Sequence, residues 1–291
     1  MISFIICSID PPRCQEARRN VEETVGVPHE ILVHDNREAG WGLSKVYNHY
    51  AALTKGDILC FMHEDIAFLT ADWGREIESF YTSHPGAGVV GFFGAQIKTK
   101  TPSGVGYYKR FDMSNYVQCY RDGREVTYIH SDGEDYTPVV QIDGMCMIAP
   151  RKVWAENPFD EVNFPGFHLY DLDFSLAIAL RYTNYVCHKV LIKHDSEGSN
   201  NDQWCHYTKV FHDKWNDALP VTSVPMSRRI IRKVEAYMSY KFYRNILHRR
   251  QSDWAEYARR HFNRSGNLLY RIKLLRHSIS YAREVKKSEK S

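Results

Sequence analysis

Three clusters of ionisable residues stand where polar chemistry could be done. The first closes the stretch DILCFMHEDIAF, Asp57 to Phe68. Ile58 to Met62 is apolar and long enough for one buried strand; His63, Glu64 and Asp65 then follow before the chain turns apolar again at Ile66. Acids at the carboxyl end of a strand in an open α/β sheet lie at the crevice where ligands bind. Their oxygens can hold a hard divalent cation, which can in turn clamp phosphates. The same three residues also suit a solvated turn. The second cluster, HLYDLDF from His168 to Phe174, sets Asp171 and Asp173 at the start of an expected helix. The helix dipole and the free N–H groups favour acids there without any further role. A spacing of two, however, puts the carboxylates on different sides of the helix. One can bond the helix end while the other points into a cleft and takes a proton from a hydroxyl nucleophile. The third cluster, KHDSEGSN from Lys193 to Asn200, places His194 directly after a strand. A lone histidine is most often structural, yet a neutral imidazole beside acids can complete a metal site or donate to a phosphate.

The elements that must position these groups can be read from the hydrophobic pattern. The first 65 residues run strand, helix, strand, helix, strand: Ile2 to Ile9, Cys14 to Val25, Glu30 to His34, Leu43 to Leu53 and Ile58 to Met62. That alternation predicts a parallel sheet with its ligand edge at the strand ends. Each strand is followed by an acid, Asp10, Asp35 and Asp65, and like charges crowded at one edge call for a cation or a donor-rich ligand. A helix over Asp72 to Tyr81 and a strand over Gly88 to Gln96 come next. Ser103 to Ile129 alternates and is rich in aromatics around Asp122-Gly123, a hairpin dipeptide, and is expected to be an antiparallel insertion over the site. Val139 to Ile148 reads as a strand broken by Asp143-Gly144. A helix over Asp171 to Tyr182, a strand over Tyr185 to Lys193 and a helix over Asp202 to Asn216 complete this part.

Of the 291 residues, 43% are hydrophobic and 25% charged, ordinary for a folded protein, and no apolar run reaches the length of a membrane-spanning helix. The N-terminus reads as a first strand and not as a leader. Seven scattered cysteines without a C-x-x-C pair predict reduced, buried thiols and a cytoplasmic setting. The net charge of +3 conceals a division. Residues 226–291 carry 18 Lys+Arg and 5 Asp+Glu, a charge of +13; the preceding 225 residues carry 20 and 30, a charge of −10. The expected boundary is the Pro/Ser/Thr stretch from Pro220 to Pro225, separating a domain over 1–220 from a basic helical region over 226–291.

The order and spacing of FIICSID, ILVHDN, GWGLSKVYN, DILCFMHEDI, QIDGMCMIAPRKVW, FHLYDLDFSLAI and KVLIKHDSEGS, from roughly Met1 to Asn216, resemble the inverting nucleotide-sugar glycosyltransferases of family 2 with the GT-A fold. The nearest branch is that of the streptomycin-biosynthesis glycosyltransferase-like proteins. The resemblance implies a Rossmann-like, mostly parallel central sheet with helices on both faces, an antiparallel insertion and a helical C-terminal appendage. It implies that Ile9, Asp10, Asp35 and Asn36 hold the nucleobase and ribose, with Ser44, Lys45 and Asn48 near the nucleotide. HED takes the place of the family's D-x-D motif: Asp65 would ligate Mn²⁺ or Mg²⁺, while His63 departs from the usual acid and stays with Glu64 on the donor side. Asp143 and Gly144 would line the donor sugar, Asp171 would be the catalytic base, and His194 would reach the metal or the diphosphate. UDP is the family's default donor nucleotide, and the acceptor would be a glycan, a lipid-linked sugar or a small molecule. A catalytically silent nucleotide-sugar binder and a nucleotidyltransferase are the competing readings.

The region 226–291 has helical periodicity throughout. Its helices are expected to pack on the domain, with the basic faces solvated or paired with its acidic surface, and with contact to anionic lipid at the inner membrane surface as an addition. No nucleic-acid-binding motif is present.

Overall fold

The computed structural model describes residues 1–106, 108–195, 198, 201–249, 252–265 and 267–274. Expectations placed on Tyr107, on most of the 196–200 loop and on the tail from Leu275 onward lie outside the described residues. The first βαβ units are β1 (Ile2–Ser8), α1 (Pro11–Thr24), β2 (His29–Asp35), the single turn α2 (Asn36–Ala39), α3 (Leu43–Leu53) and β3 (Ile58–His63). There follow β4 (Ile66–Phe68), α4 (Trp73–Ser83), β5 (Ala87–Gly91), β6 (Phe93–Ala95) and β7 (Ile97–Lys98). The middle of the chain holds β8 (Asp112–Cys119), β9 (Glu125–His130), β10 (Tyr136–Val139), β11 (Gln141–Ile142), β12 (Cys146–Pro150) and α5 (Arg151–Glu156). Then come α6 (Tyr170–Ala179), β13 (Thr183–Cys187), β14 (Ile192–His194), α7 (Asp202–Trp215), β15 (Val221–Thr222), α8 (Arg228–His248) and α9 (Ser252–Ser265), with a further helix over 268–274.

The central sheet has the order β10-β13-β5-β12-β3-β1-β2. It is mixed but mostly parallel, as expected: β2, β1, β3, β5 and β13 run one way, and β12 and β10 run against them. β2, β1 and β3 are parallel, as the alternation predicts, but β12 runs antiparallel to both β3 and β5. Side chains of a strand alternate between its faces, and the two cores follow from that. Ile5, Leu59 and Phe61 join α3 and α6 on one face; Phe4, Ile6, Cys60 and Met62 join α1 and α4 on the other. Both faces are covered, so these strands read as continuous apolar runs. Removing the Phe61 ring would cost about 3–5 kcal/mol.

The second sheet, β11-β6-β8-β14-β4 with β9 beside β8, explains why the sequence pattern misjudged three strands. Gly88 to Gln96 splits at Phe92 into β5 and β6, Val139 to Ile148 divides at Val140 and at the 143–145 turn, and Tyr185 to Lys193 divides into β13 and β14. A strand that crosses between two sheets keeps its apolar composition while changing partners, so composition does not mark the crossing. The Asp122-Gly123 turn does close a hairpin, with Gly123 at φ 82°. The hairpin is part of this sheet through β8, and Ser103 to Phe111 contains no strand among the described residues.

Pro220 to Pro225 is not a free linker. β15 pairs with β7, and α8 then packs on the same body, with Phe242 and Ile246 in the core that holds Phe61. All seven cysteines are free and six are buried. No described helix is long and apolar enough to cross a membrane.

Candidate functional site

The ends of β1, β2 and β3 coincide, because Cys7 lies opposite both His34 and His63. Two antiparallel partners bring distant residues to that edge. β12 starts at Cys146 opposite Met62, and the His63 N–H donates to the Met145 carbonyl at 3.0 Å, so the 143–145 turn abuts the end of β3. β14 runs antiparallel to β4, and the Asp195 N–H donates to the Asp65 carbonyl at 3.0 Å, which sets His194 beside Asp65. The result is a cleft of about 910 Å³, within the usual range for ligand sites. It brings together Ile9, Asn36, His63, Glu64, Asp65, Asp143, Gly144, Asp171 and His194 from the sequence-derived set.

Ligand atoms of His63, Asp65 and His194 lie within 4.8 Å of one another. His194 Nδ1 meets Gln118 Oε1 at 3.2 Å, which makes Nδ1 the protonated nitrogen and leaves the Nε2 lone pair toward Asp65 Oδ1, 3.7 Å away. His63 Nε2 meets the Tyr170 hydroxyl at 2.9 Å, and that hydroxyl donates to the Gly144 carbonyl at 3.3 Å. Nε2 is therefore the donor, and Nδ1 keeps its lone pair. Burial pushes the His63 pKa down, so the ring is held neutral, as a ligand must be. Asp65 Oδ1 is buried without a hydrogen-bond partner among the described residues. A buried carboxylate oxygen without a hydrogen-bond partner among the described residues, within 4.8 Å of ligand atoms on two histidines, fits a divalent cation, with an oxygen and two imidazole nitrogens as ligands. His63 thus stands with Asp65 and His194 in a cluster that could hold a cation, besides facing the donor side of the cleft.

Asp171 lies in the first turn of α6, which begins after Leu169 in a left-handed conformation at φ 63°. Its Oδ2 accepts from the Gly144 N–H at 2.8 Å. Loss of surrounding water, and next the charge of Asp143, raise its pKa to about 7. Gly144 is required here: a Cβ would lie 2.3 Å from the Tyr170 hydroxyl oxygen. His63, Tyr170, Gly144 and Asp171 therefore form one hydrogen-bonded chain from the metal-ligand cluster to the carboxylate. Asp173, two residues on, is buried and accepts from Lys214 and Trp215 at 2.8 and 2.7 Å; it ties α7 to α6 and does not bond the helix end.

Several sequence-derived donor contacts belong to the scaffold. Asp10 caps α1 through the Arg13 N–H. Asp35 caps α2 and is clasped by the Arg37 guanidinium, which holds its carboxyl down at about 2; only its neighbour Asn36 lines the cleft. Of the three strand-end acids, only Asp65 lines the cleft. Ser44 is fully buried and donates to the Phe164 carbonyl at 2.9 Å. Asn48 bonds both backbone groups of Phe159, as well as Trp154 and Glu161. Lys45 lies over the Trp41 ring at 4.0 Å. These contacts hold the 159–169 segment as a cleft wall. Glu64 faces the cleft but accepts from the Ser8 hydroxyl and from the N–H groups of Ile9 and Asp10, so it fixes the loop after β1.

Sequence reasoning missed Arg13, which lines the cleft and pairs with Asp195 at 3.6 Å. It also missed Lys98, fully buried, whose ammonium donates to the Ser103 carbonyl and hydroxyl and to the Gly104 carbonyl at 2.7, 3.0 and 3.2 Å. Lys98 thereby anchors the loop that supplies Gly104, Val105 and Gly106 to the cleft, and burial lowers its pKa to about 7. Nothing in KTKT distinguishes it from a solvated lysine.

The fold is shared with a solved structure. A mannosyltransferase from Pyrobaculum calidifontis, solved with GDP-mannose and Mn²⁺, superposes with a TM-score of 0.52 over 97% of this chain and 80% of its own, at 13% identity. GalNAc-T7, solved with UDP, GalNAc and Mn²⁺, gives a TM-score of 0.49 at 9% identity over 75% of this chain; the chain spans about half the length of that protein, 49%. No curated protein sequence matches the chain. The model of the glycosyltransferase-like family matches residues 3–218, from β1 through α7. The sheet edge, with its cleft and its ligand cluster, lies wholly inside that match, and the chain belongs to the glycosyltransferase-like family with the GT-A fold.

Proposed function

We propose that the protein transfers a sugar from a nucleoside-diphosphate donor to an acceptor hydroxyl with inversion at the anomeric carbon, in the manner of the family 2 enzymes of the streptomycin-biosynthesis-like branch. The observation that carries this reading is the hydrogen-bonded connection between the His63–Asp65–His194 cluster and Asp171 across one cleft. A divalent cation, Mn²⁺ or Mg²⁺, held by those three residues would offset the charge that develops on the leaving diphosphate. Arg13 adds a fixed positive charge at the same edge. Ile9 and Asn36 flank the nucleoside, with UDP as the default, and Asp143 and Gly144 border the sugar. Asp171, as the carboxylate, removes the proton from the acceptor hydroxyl as it attacks from the face opposite the leaving group. A pKa near the working pH suits it to that exchange. The acceptor is a glycan, a lipid-linked sugar or a small molecule, and the basic face of 226–291 rests on an anionic membrane surface. His63 as a ligand removes the main argument for a silent binder, which was the missing first acid.

Titration of UDP and GDP with and without Mn²⁺ tests the reading. The wild type is expected to bind one of them in a metal-dependent way, and Asp65→Ala to lose the metal dependence. Identical curves for the two proteins would remove the cluster from the mechanism. Identification of the released product as a nucleoside diphosphate, and not pyrophosphate, excludes nucleotidyl transfer.

A further inference from the structure

A second hollow, of about 250 Å³, lies away from the cleft where the segment before β8 meets the first turns of α8. Its apolar lining is Tyr108, Phe111, Ile230 and Val234, and its cations are Arg110, Arg229 and Lys233. Phe111 and Val234 are buried, whereas the three cationic residues are exposed. None of the three forms a salt bridge among the described residues; Arg110 instead lies against the Phe111 ring, 5.5 Å from its centroid. Arg228 and Arg232 on α8 are likewise exposed and make no salt bridge among the described residues. Ser227 caps α8, whose N-terminus adds the positive end of a 21-residue helix. Cations that gather at an apolar hollow without acidic partners repel one another unless an anion is shared among them.

We infer that this groove seats the phosphate headgroup of an anionic membrane lipid, with the phosphate between Arg110, Arg229 and Lys233 and the glycerol and first methylenes against Phe111, Ile230 and Val234. The hollow is smaller than the roughly 300–1,000 Å³ of a site that engulfs a whole small ligand, and it suits a headgroup whose remainder stays in a bilayer. An apolar floor would be wasted on a nucleic-acid backbone, which asks for a row of cations along a groove. The inference extends the membrane contact proposed above from a diffuse basic face to one site, and it includes a residue, Arg110, outside the basic C-terminal region. The segment that supplies Gly104 to Gly106 to the cleft continues into Tyr108, Arg110 and Phe111, so a lipid-bound groove would set the cleft close to the membrane surface.

The test is sedimentation of the full chain with vesicles of phosphatidylcholine, with and without phosphatidylglycerol. Wild type is expected to bind only the anionic vesicles. R229Q/K233Q should lower the partition coefficient about 30-fold, at about 1 kcal/mol per cation near the surface. R18Q/R19Q, which removes two exposed cations from α1, should change it little. Both variants alter solvent-exposed residues, and metal-dependent nucleotide binding serves as the check that they are folded. Equal loss in the two variants would overturn the site and leave only diffuse attraction. Failure of wild type to bind anionic vesicles would overturn the lipid contact altogether. A duplex oligonucleotide whose binding falls in R229Q/K233Q while vesicles stay unbound would reassign the groove to nucleic acid. None of these results bears on sugar transfer, which metal-dependent nucleotide binding reports separately.

Discussion

At the end of β3, Asp65 keeps a buried carboxylate oxygen without a hydrogen-bond partner among the described residues, whereas on α3 Asn48 uses both its amide N–H groups and its carbonyl on the 154–161 segment. Asp65 lines the cleft and Asn48 stands behind its wall; the sequence sets the first on the metal and the second near the nucleotide. The difference is what the protein itself offers them. Asn48 and Ser44 find complementary backbone groups, so their hydrogen-bonding capacity is spent on holding a wall. His63 and His194 each have a ring nitrogen engaged, by Tyr170 and by Gln118, and ligand atoms of both lie within 4.8 Å of one on Asp65. A folded chain bears the cost of an unpaired buried polar atom where a ligand will relieve it.

Substitutions on the two sides should therefore separate cleanly. The largest effect is expected at Asp171: Asp171→Asn should reduce transfer by about 10²–10⁴-fold with nucleotide affinity preserved, read by a steady-state transfer assay beside a binding titration. Full activity would take the base away from this carboxylate. Next, Tyr170→Phe should weaken Mn²⁺ binding about 10- to 100-fold, because His63 loses the partner that fixes its tautomer; a metal titration followed by the metal's own signal would show it, and unchanged affinity would return His63 to a packing role. The pH profile is a finer probe. Asp171 acts only when deprotonated, so transfer at saturating donor should rise with pH and level off above about 7. Asp143→Asn should move that rise to lower pH, since the Asp143 charge is the second cause of the elevated value. A profile that does not move would mean the two carboxylates are uncoupled. On the scaffold side, Asn48→Ala should cost about 2 kcal/mol of stability by stranding the Phe159 backbone groups, while the folded fraction keeps its metal affinity. Denaturant unfolding and a metal titration of the same sample test both halves.

The extent of sequence legibility follows the same division. β1, β2 and β3 are legible because strands covered on both faces must be apolar throughout, and the acids after them mark where cover ends. Asp171 and Asp173 could be told apart in principle, since a spacing of two sends side chains to different sides of a helix. Which of them faces the cleft depended on Lys214 and Trp215 arriving from α7. The splitting of β5 from β6 and of β13 from β14 was hidden because a chain passing from one sheet to the other keeps its apolar composition. Lys98 was hidden because a lysine that ends in three carbonyl and hydroxyl acceptors looks, in a sequence, like a lysine in water.

By itself the sequence determined the alternation that builds a GT-A sheet, the position of its ligand edge and the residue types available there. Tertiary structure alone decided which of those residues act. Burial and pairing are properties of neighbours: β14 running antiparallel to β4 brings His194 to Asp65, and Arg37 folding back on Asp35 withdraws that acid from the cleft. Charge and hydrogen-bonding capacity are carried by a side chain wherever it stands, but whether they remain available to a ligand depends on what the fold has already placed within about 3 Å.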